Sequence, residues 1–146
     1  MAKFMSKSRV YIGQGVAPAT PPGSDTFDSI GNVTATSGPE FNKSDVEHTD
    51  MESTLKEFFG DLADAGSLNF TCNANIGNAG QDAAFSDAQA NIQRNIKVER
   101  LDPADDSVLR TYDFIGEVME WNEDSTQGSP YTITGRIKIS GAVTKT

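Results

Sequence analysis

The clearest signal in the chain is a two-residue rhythm that begins after Gly66. Leu68, Phe70, Cys72, Ala74 and Ile76 alternate with Asn69, Thr71, Asn73 and Asn75. A strand here has one apolar face and one row of small uncharged polar groups. The same rhythm closes the chain, where Tyr131, Ile133, Gly135, Ile137 and Ile139 alternate with Thr132, Thr134, Arg136 and Lys138. Between them, Asn95 to Leu101 and Val108 to Trp121 read as strands. The run Asp102-Pro103-Ala104-Asp105-Asp106-Ser107 forms the turn between these two, and Gly116 is expected at a bulge or bend.

Earlier in the chain the rhythm is shorter. Ser8 to Ile12 predicts a brief strand, and Gly13 to Ser24, with three glycines and three prolines, predicts a loop. Ile30 to Thr36 predicts a second strand, ended by Gly38-Pro39. A helix is expected from Ser86, because Ser86-Asp87-Ala88-Gln89 fits a capping box, with Phe85, Ala88 and Ile92 as its buried stripe. Six strands with one inserted helix predict a mainly β fold. Two packed β-sheets, as a sandwich or half-open barrel, would be flanked by one α-helix.

Residues 40–66 break this pattern. They hold few strand signals, although Leu55, Phe58, Phe59 and Leu62 have the spacing of a short amphipathic helical turn, cut by Gly60. Connections of this length usually serve binding. The expected organisation is one domain, 1–146, with 1–27 as an N-terminal arm and loop and 40–66 as a long loop.

Charge sharpens the reading. Twenty-one acidic residues face 12 basic ones, a net charge of −9, which argues against a basic face for gripping nucleic acid or an anionic membrane. The distribution is uneven. Residues 40–64 hold eight acids and two bases, 101–124 eight acids and one base, while both termini are basic. Such a layout fits either acidic loops that are simply solvated or self-complementary contacts between copies. No apolar run is long enough to span a bilayer, and the N-terminus lacks the apolar core of a secretory signal.

Candidate chemistry is sparse. His48 is the only histidine and has no nucleophile-elbow partner. Cys72, on the apolar side of its strand, is expected to be inert packing. Gly13-Gln14-Gly15 lacks the rest of a dinucleotide fingerprint. Asp102, Asp105 and Asp106 do not have EF-hand spacing and read as turn residues. Trp121 is expected in core or rim packing. We expect no metal, no cofactor and no enzymatic activity.

The organisation itself carries more. The run Phe27-Asp28-Ser29-Ile30-Gly31-Asn32-Val33-Thr34, then Gly38-Pro39-Glu40-Phe41 and Asp45-Val46-Glu47-His48-Thr49-Asp50, is similar to a known pattern. So is Thr54-Leu55-Lys56-Glu57-Phe58 leading through Gly60-Asp61-Leu62-Ala63-Asp64-Ala65-Gly66 into Ser67-Leu68-Asn69-Phe70. Together they resemble the major tail tube proteins of long, flexible-tailed, lambda-type bacteriophages (siphoviruses); His48 departs from the Thr or Ser more usual there. The resemblance implies a virion protein forming stacked hexameric rings, assembled in the bacterial host cytoplasm. Its partners would be further copies of itself, the tape-measure protein, the tail tip and terminator proteins, and viral DNA as passing cargo without specific binding; no membrane is involved. It makes residues 40–66 an inter-ring loop, with Asp45, Glu47, Asp50, Glu52, Glu57 and Asp61 as contact residues. Lys3, Lys7, Arg9, Arg136 and Lys138 are their possible basic partners, and Asn69, Asn73 and Asn75 possible lumen lining. The alternatives are an inner tube or ring protein of a contractile tail or type VI secretion system, and, from another class, a soluble β-sandwich binding module.

Overall fold

The computed structural model describes residues 7–17, 19–41, 43, 45–47, 58–60 and 66–146. Its strands are β1 (Lys7–Val16), β2 (Phe27–Ile30), β3 (Val33–Ser37), β4 (Asp45–Glu47), β5 (Phe58–Gly60), β6 (Ser67–Asn73), β7 (Gln93–Leu101), β8 (Val108–Asp124) and β9 (Thr132–Lys145). One helix, α1 (Ala79–Ala88), lies between β6 and β7. Seven strands form one antiparallel sheet in the order β2-β1-β7-β8-β9-β6-β3, and β4 pairs with β5 in a separate two-stranded sheet.

The large sheet rolls on itself. β2 and β3 follow one another in sequence yet occupy opposite edges of the sheet, joined only by Gly31 and Asn32. Asn32 takes a positive φ of 59°, a conformation that Asn tolerates better than most residues. The expected Ile30–Thr36 strand is thus bent at this point. Its first part pairs with β1 (Val10↔Ile30) and its second with β6 (Val33↔Cys72). The barrel is closed by the chain at this bend and stays half-open beyond it. Across the opening, Arg100 on β7 donates to Ser8 Oγ, Thr36 Oγ1 and the Gly38 carbonyl.

The alternating residues meet inside this roll. Val10, Ile12, Ile30, Leu68, Phe70, Cys72, Ile96, Val98, Phe114, Val118, Ile133, Ile137 and Ile139 form one buried cluster, capped by Ala84 of α1. Two glycines permit its density. A Cβ on Gly135 would lie 2.4 Å from the Phe70 ring, and one on Gly116 2.4 Å from Ile137. Gly116 therefore serves close packing, and the bulges fall beside it, between Asp113 and Ile115 and between Val118 and Glu120.

Several expectations are corrected. The helix starts at Ala79, not Ser86, because Asn78 is the N-cap: its side chain accepts the Gln81 N–H at 2.8 Å. Its buried residues are Gly80, Gln81, Ala84 and Asp87, while Phe85 is 44% exposed. Gly80 brings the helix backbone directly onto β2, where a Cβ would fall 2.3 Å from the Ser29 carbonyl oxygen, so small size rather than an apolar stripe seats this helix. Gly13 to Gly15 lie within β1, which sits between β2 and β7 as an interior strand rather than projecting as an arm. Phe58 and Phe59 are extended in β5 instead of helical, since pairing with β4 favours aromatic residues in a strand.

Candidate functional site

β8, β9, β6 and β3 turn a continuous polar face away from the core. Residues directly opposite in an antiparallel ladder share a face, so the register reads the surface out row by row. One row is Glu117–Lys138–Ser67, the next Glu120–Arg136–Asn69–Ser37, then Asn122–Thr134–Thr71–Ala35, and last Asp124–Thr132–Asn73. The bulge at Met119 keeps Glu120 facing Arg136, and their ion pair is 3.3 Å long. Arg136 also donates to Ser67 Oγ at 3.4 Å. The face carries acids on β8, bases on β9, and uncharged Asn, Thr and Ser on β6 and β3.

Among the described residues, both margins of this four-stranded region lack a ladder partner, although side chains of Ser8 and Arg100 reach Thr36 of β3 across the opening. β3 ends the sheet order, and β7 pairs with β8 only as far as Gln93↔Glu117, leaving Val118–Asp124 with β9 alone. Beside that free half of β8 runs a groove of about 540 Å³ lined by Phe85, Ala88 and Gln89 of α1 and by Met119, Glu120, Trp121 and Asn122. Trp121 packs edge-on against Phe85 with ring centroids 5.8 Å apart, and its buried Nε1 has no partner among the described residues. The other outward face, on β1 and β7, differs in kind: Lys97 lies 4.6 Å from the Phe27 ring centre and 5.9 Å from that of Tyr11.

The residues singled out from sequence separate into groups. Asn69 and Asn73 are exposed on the polar face. Asn75 lies past the end of β6, in the turn toward α1, where its N–H donates to Gln81 Oε1; it is not on the sheet face. Arg136 and Lys138 share the polar face, whereas Lys7 and Arg9 ion-pair with Asp106 at 2.7 and 3.8 Å on another part of the molecule. Asp45 and Glu47 lie in β4, which pairs with β5. Lys3, His48, Asp50, Glu52, Glu57 and Asp61 lie outside the described residues.

Candidate chemistry resolves into packing. Cys72 is fully buried, and burial raises its pKa to about 11, so the thiol stays protonated and unreactive. The aspartates of 102–107 serve their turn: Asp102 accepts the Ala104 N–H and Asp105 the Ser107 N–H. Among the described residues no cluster of metal-ligating side chains occurs, and no helix is long and apolar enough to cross a membrane.

Three polar locks were not foreseen. Gln81, almost fully buried, donates to the carbonyls of Gly31 and Asn73 and accepts from the Asn75 N–H. Arg94 forms a two-pronged pair with buried Asp87 at 2.9 and 3.2 Å. Asp25 accepts from the N–H groups of Gly15 and Thr26 and from Asn95 Nδ2. The only sequence cue was the unexplained Gly13-Gln14-Gly15, where a Cβ on Gly13 would strike the Asp25 carboxylate at 2.2 Å.

No protein-family model matches the chain, and no curated protein matches its sequence. Solved structures match its shape over nearly its whole length. A chain of an extracellular contractile injection system, in the PVC sheath-tube complex, superposes with a TM-score of 0.67 at 11% identity, over 96% of this chain and 88% of that one. The SPP1 tail tube gives 0.64 at 15% identity, over 94% and 76%. The tail of a GTA particle refined with C6 symmetry gives 0.62 at 17%, over 94% and 95%. The fold is a tail-tube fold. It is shared by contractile injection machines and by phage-like tails.

Proposed function

We propose that this chain is the major tube subunit of a phage tail, its copies joining side by side into hexameric rings that stack around a bore for viral DNA. The observation that carries the reading is a polar four-stranded sheet with a free edge at each side. Free edges invite unwanted pairing in a monomer. Pairing β3 of one copy with the Val118–Asp124 half of β8 in the next removes both edges through a single head-to-tail contact, which closes into a ring when the rotation allows. The polar face then becomes continuous around the bore. Small uncharged groups and balanced charges suit that position better than the outward face of β1, β2 and β7, which carries Tyr11 and Phe27.

In a lambda-type siphovirus the tube would surround the tape-measure protein during assembly in the host cytoplasm. In the virion it would meet the tail tip at one end and the terminator at the other, and would pass DNA without specific binding. The shape shared with the PVC sheath-tube complex favours a second reading, the inner tube of a contractile tail or of a type VI secretion system. A sheath protein encoded beside this chain and co-purifying with its tubes selects that reading.

Thr34 and Met119 stand at the register shifts of β3 and of the free half of β8, the positions at which a sheet tolerates proline best. Thr34→Pro and Met119→Pro are each expected to abolish rings in negative-stain micrographs while the thermal melt stays within a few degrees of the parent. Mixed together, they should form one dimer and nothing larger, since each retains one good edge. Normal rings from either folded variant overturn the reading.

A further inference from the structure

We infer that Arg100 receives the Glu123 carboxylate of the next copy, a contact that selects which strand adds to β3; this rests on the pairing of β3 with the free half of β8 proposed above. Beside β3 runs a cavity of about 430 Å³, lined by residues 33–36 of that strand and by Lys7, Ser8 and Arg100. Its two charged residues are both basic. Lys7 is answered by Asp106 at 2.7 Å. Arg100 is not. Its N–H groups reach Ser8 Oγ, Thr36 Oγ1 and the Gly38 carbonyl, all neutral oxygens. Among the described residues no carboxylate forms an ion pair with it. Arg100 is half-buried, and burial lowers its pKa. A charge drawn out of water without a counter-ion is costly, so this one gains from a carboxylate that arrives with a partner.

The register selects that carboxylate. Residues directly opposite in a ladder share a face. Trp121–Gly135–Phe70–Thr36 make one row on the core side of the sheet, and Glu123–Ile133–Cys72–Val33 the next. Arg100, bonded to the Thr36 hydroxyl, lies on that side of β3. The free half of β8, residues 118–124, holds three acids and no base. Glu120 and Asp124 stand on the opposite, polar face, across from Arg136 and Thr132. Glu123 is the one charge of this stretch on the core side, yet it is exposed, hydrogen-bonded to the Tyr131 hydroxyl. A ladder added to β3 preserves faces, so Glu123 of the incoming β8 turns toward the cavity that holds Arg100. Opposite charges meeting there favour this strand over others that β3 could accept.

The experiment takes full-length Met119→Pro, which keeps the β3 edge, and full-length Thr34→Pro, which keeps the free half of β8. The dissociation constant of their dimer is measured by sedimentation. Glu123→Gln in the Thr34→Pro chain should weaken the dimer about tenfold, and Arg100→Gln in the Met119→Pro chain by about as much. The two together should also cost about tenfold, not about a hundredfold, because each removes the same contact. Exchanged between the chains, so that neither change lies at the joint, they should leave the constant within about twofold. Asp124→Asn in the Thr34→Pro chain, an equal loss of charge on the polar face, should do the same. A dimer indifferent to Glu123→Gln, losses that multiply in the double variant, or an equal loss from the exchanged pair or from Asp124→Asn overturns this inference and leaves edge pairing standing. Because Glu123 is exposed, its arm decides the matter even where Arg100→Gln fails to fold. Absence of any dimer from the two proline chains strikes the ring reading, and this inference falls with it.

Discussion

Gln81 shows how much of this architecture rests on single polar side chains. It reaches the Gly31 carbonyl at 2.9 Å, in the two-residue link that carries the chain from one edge of the sheet to the other. The same amide binds the Asn73 carbonyl at 3.0 Å, and its oxygen takes the Asn75 N–H at 2.9 Å. Helix, strand end and edge-crossing link are thereby fastened at one point. Replacing it with Met keeps the volume and removes all three bonds, leaving buried backbone groups without their partner. Gln81→Met is expected to cost about 2–4 kcal/mol, read from urea unfolding. A loss below about 0.5 kcal/mol would mean that water replaces the side chain fully.

At the scale of elements, the loop after β1 is tied to β1 and β7 through Asp25. Burial alone would raise its pKa. Hydrogen bonds from Asn95 and from the N–H groups of Gly15, Thr26 and Gln14 outweigh that and hold it below the ordinary carboxylate value. A depressed folded pKa means the native state favours the ionised form. Stability from this group is complete above the unfolded pKa, near 4, and is lost as pH falls through the lower folded value. Asp25→Ala should therefore melt below the parent at pH 7, with the gap shrinking below about pH 4. A gap independent of pH would assign the effect to packing.

These locks also mark what the sequence could reveal. The strands β6, β7, β8 and β9 were legible because burial on one face forces a period of two, and residues 68–72 and 132–139 keep it without interruption. The start of α1 was not legible. Its seating depends on Gly80 touching the Ser29 carbonyl and on Gln81 reaching three distant backbone groups, contacts that only the tertiary fold brings together. The bend at Asn32 was hidden for a similar reason. Residues 30–36 read as a strand locally, and the exchange of partners from β1 to β6 is non-local. Of the polar face, Asn69 and Asn73 were legible from alternation, but their alignment with Arg136 and Glu120 required the register.

For the whole molecule, ring closure and ring stacking draw on different surfaces. Closure needs the free edges of β3 and β8. Stacking, as the resemblance implies, would use the acidic 40–64 segment, in which β4 and β5 pair as a sheet of their own among the described residues. A segment with eight acids and two bases would, in the tube reading, meet a basic surface on the next ring. Long-range attraction between such surfaces is screened within about 10 Å at 0.1 M salt, so stacking should weaken as salt rises while rings persist. Reversing Asp45, Glu47 and Asp50 together to Lys changes the charge of the segment from −6 to neutral, because each reversal adds two units. The expected product is a folded chain with an unchanged melt and single rings at most, with no tubes in electron micrographs at any concentration that gives tubes from the parent. Pairing this chain with a second one in which Lys7 and Arg9 are made acidic tests that pair as the receiving surface, since tubes should return only where the reversed charges meet. Normal tubes from the triple variant alone would remove the acidic segment from stacking and leave that contact to apolar surface.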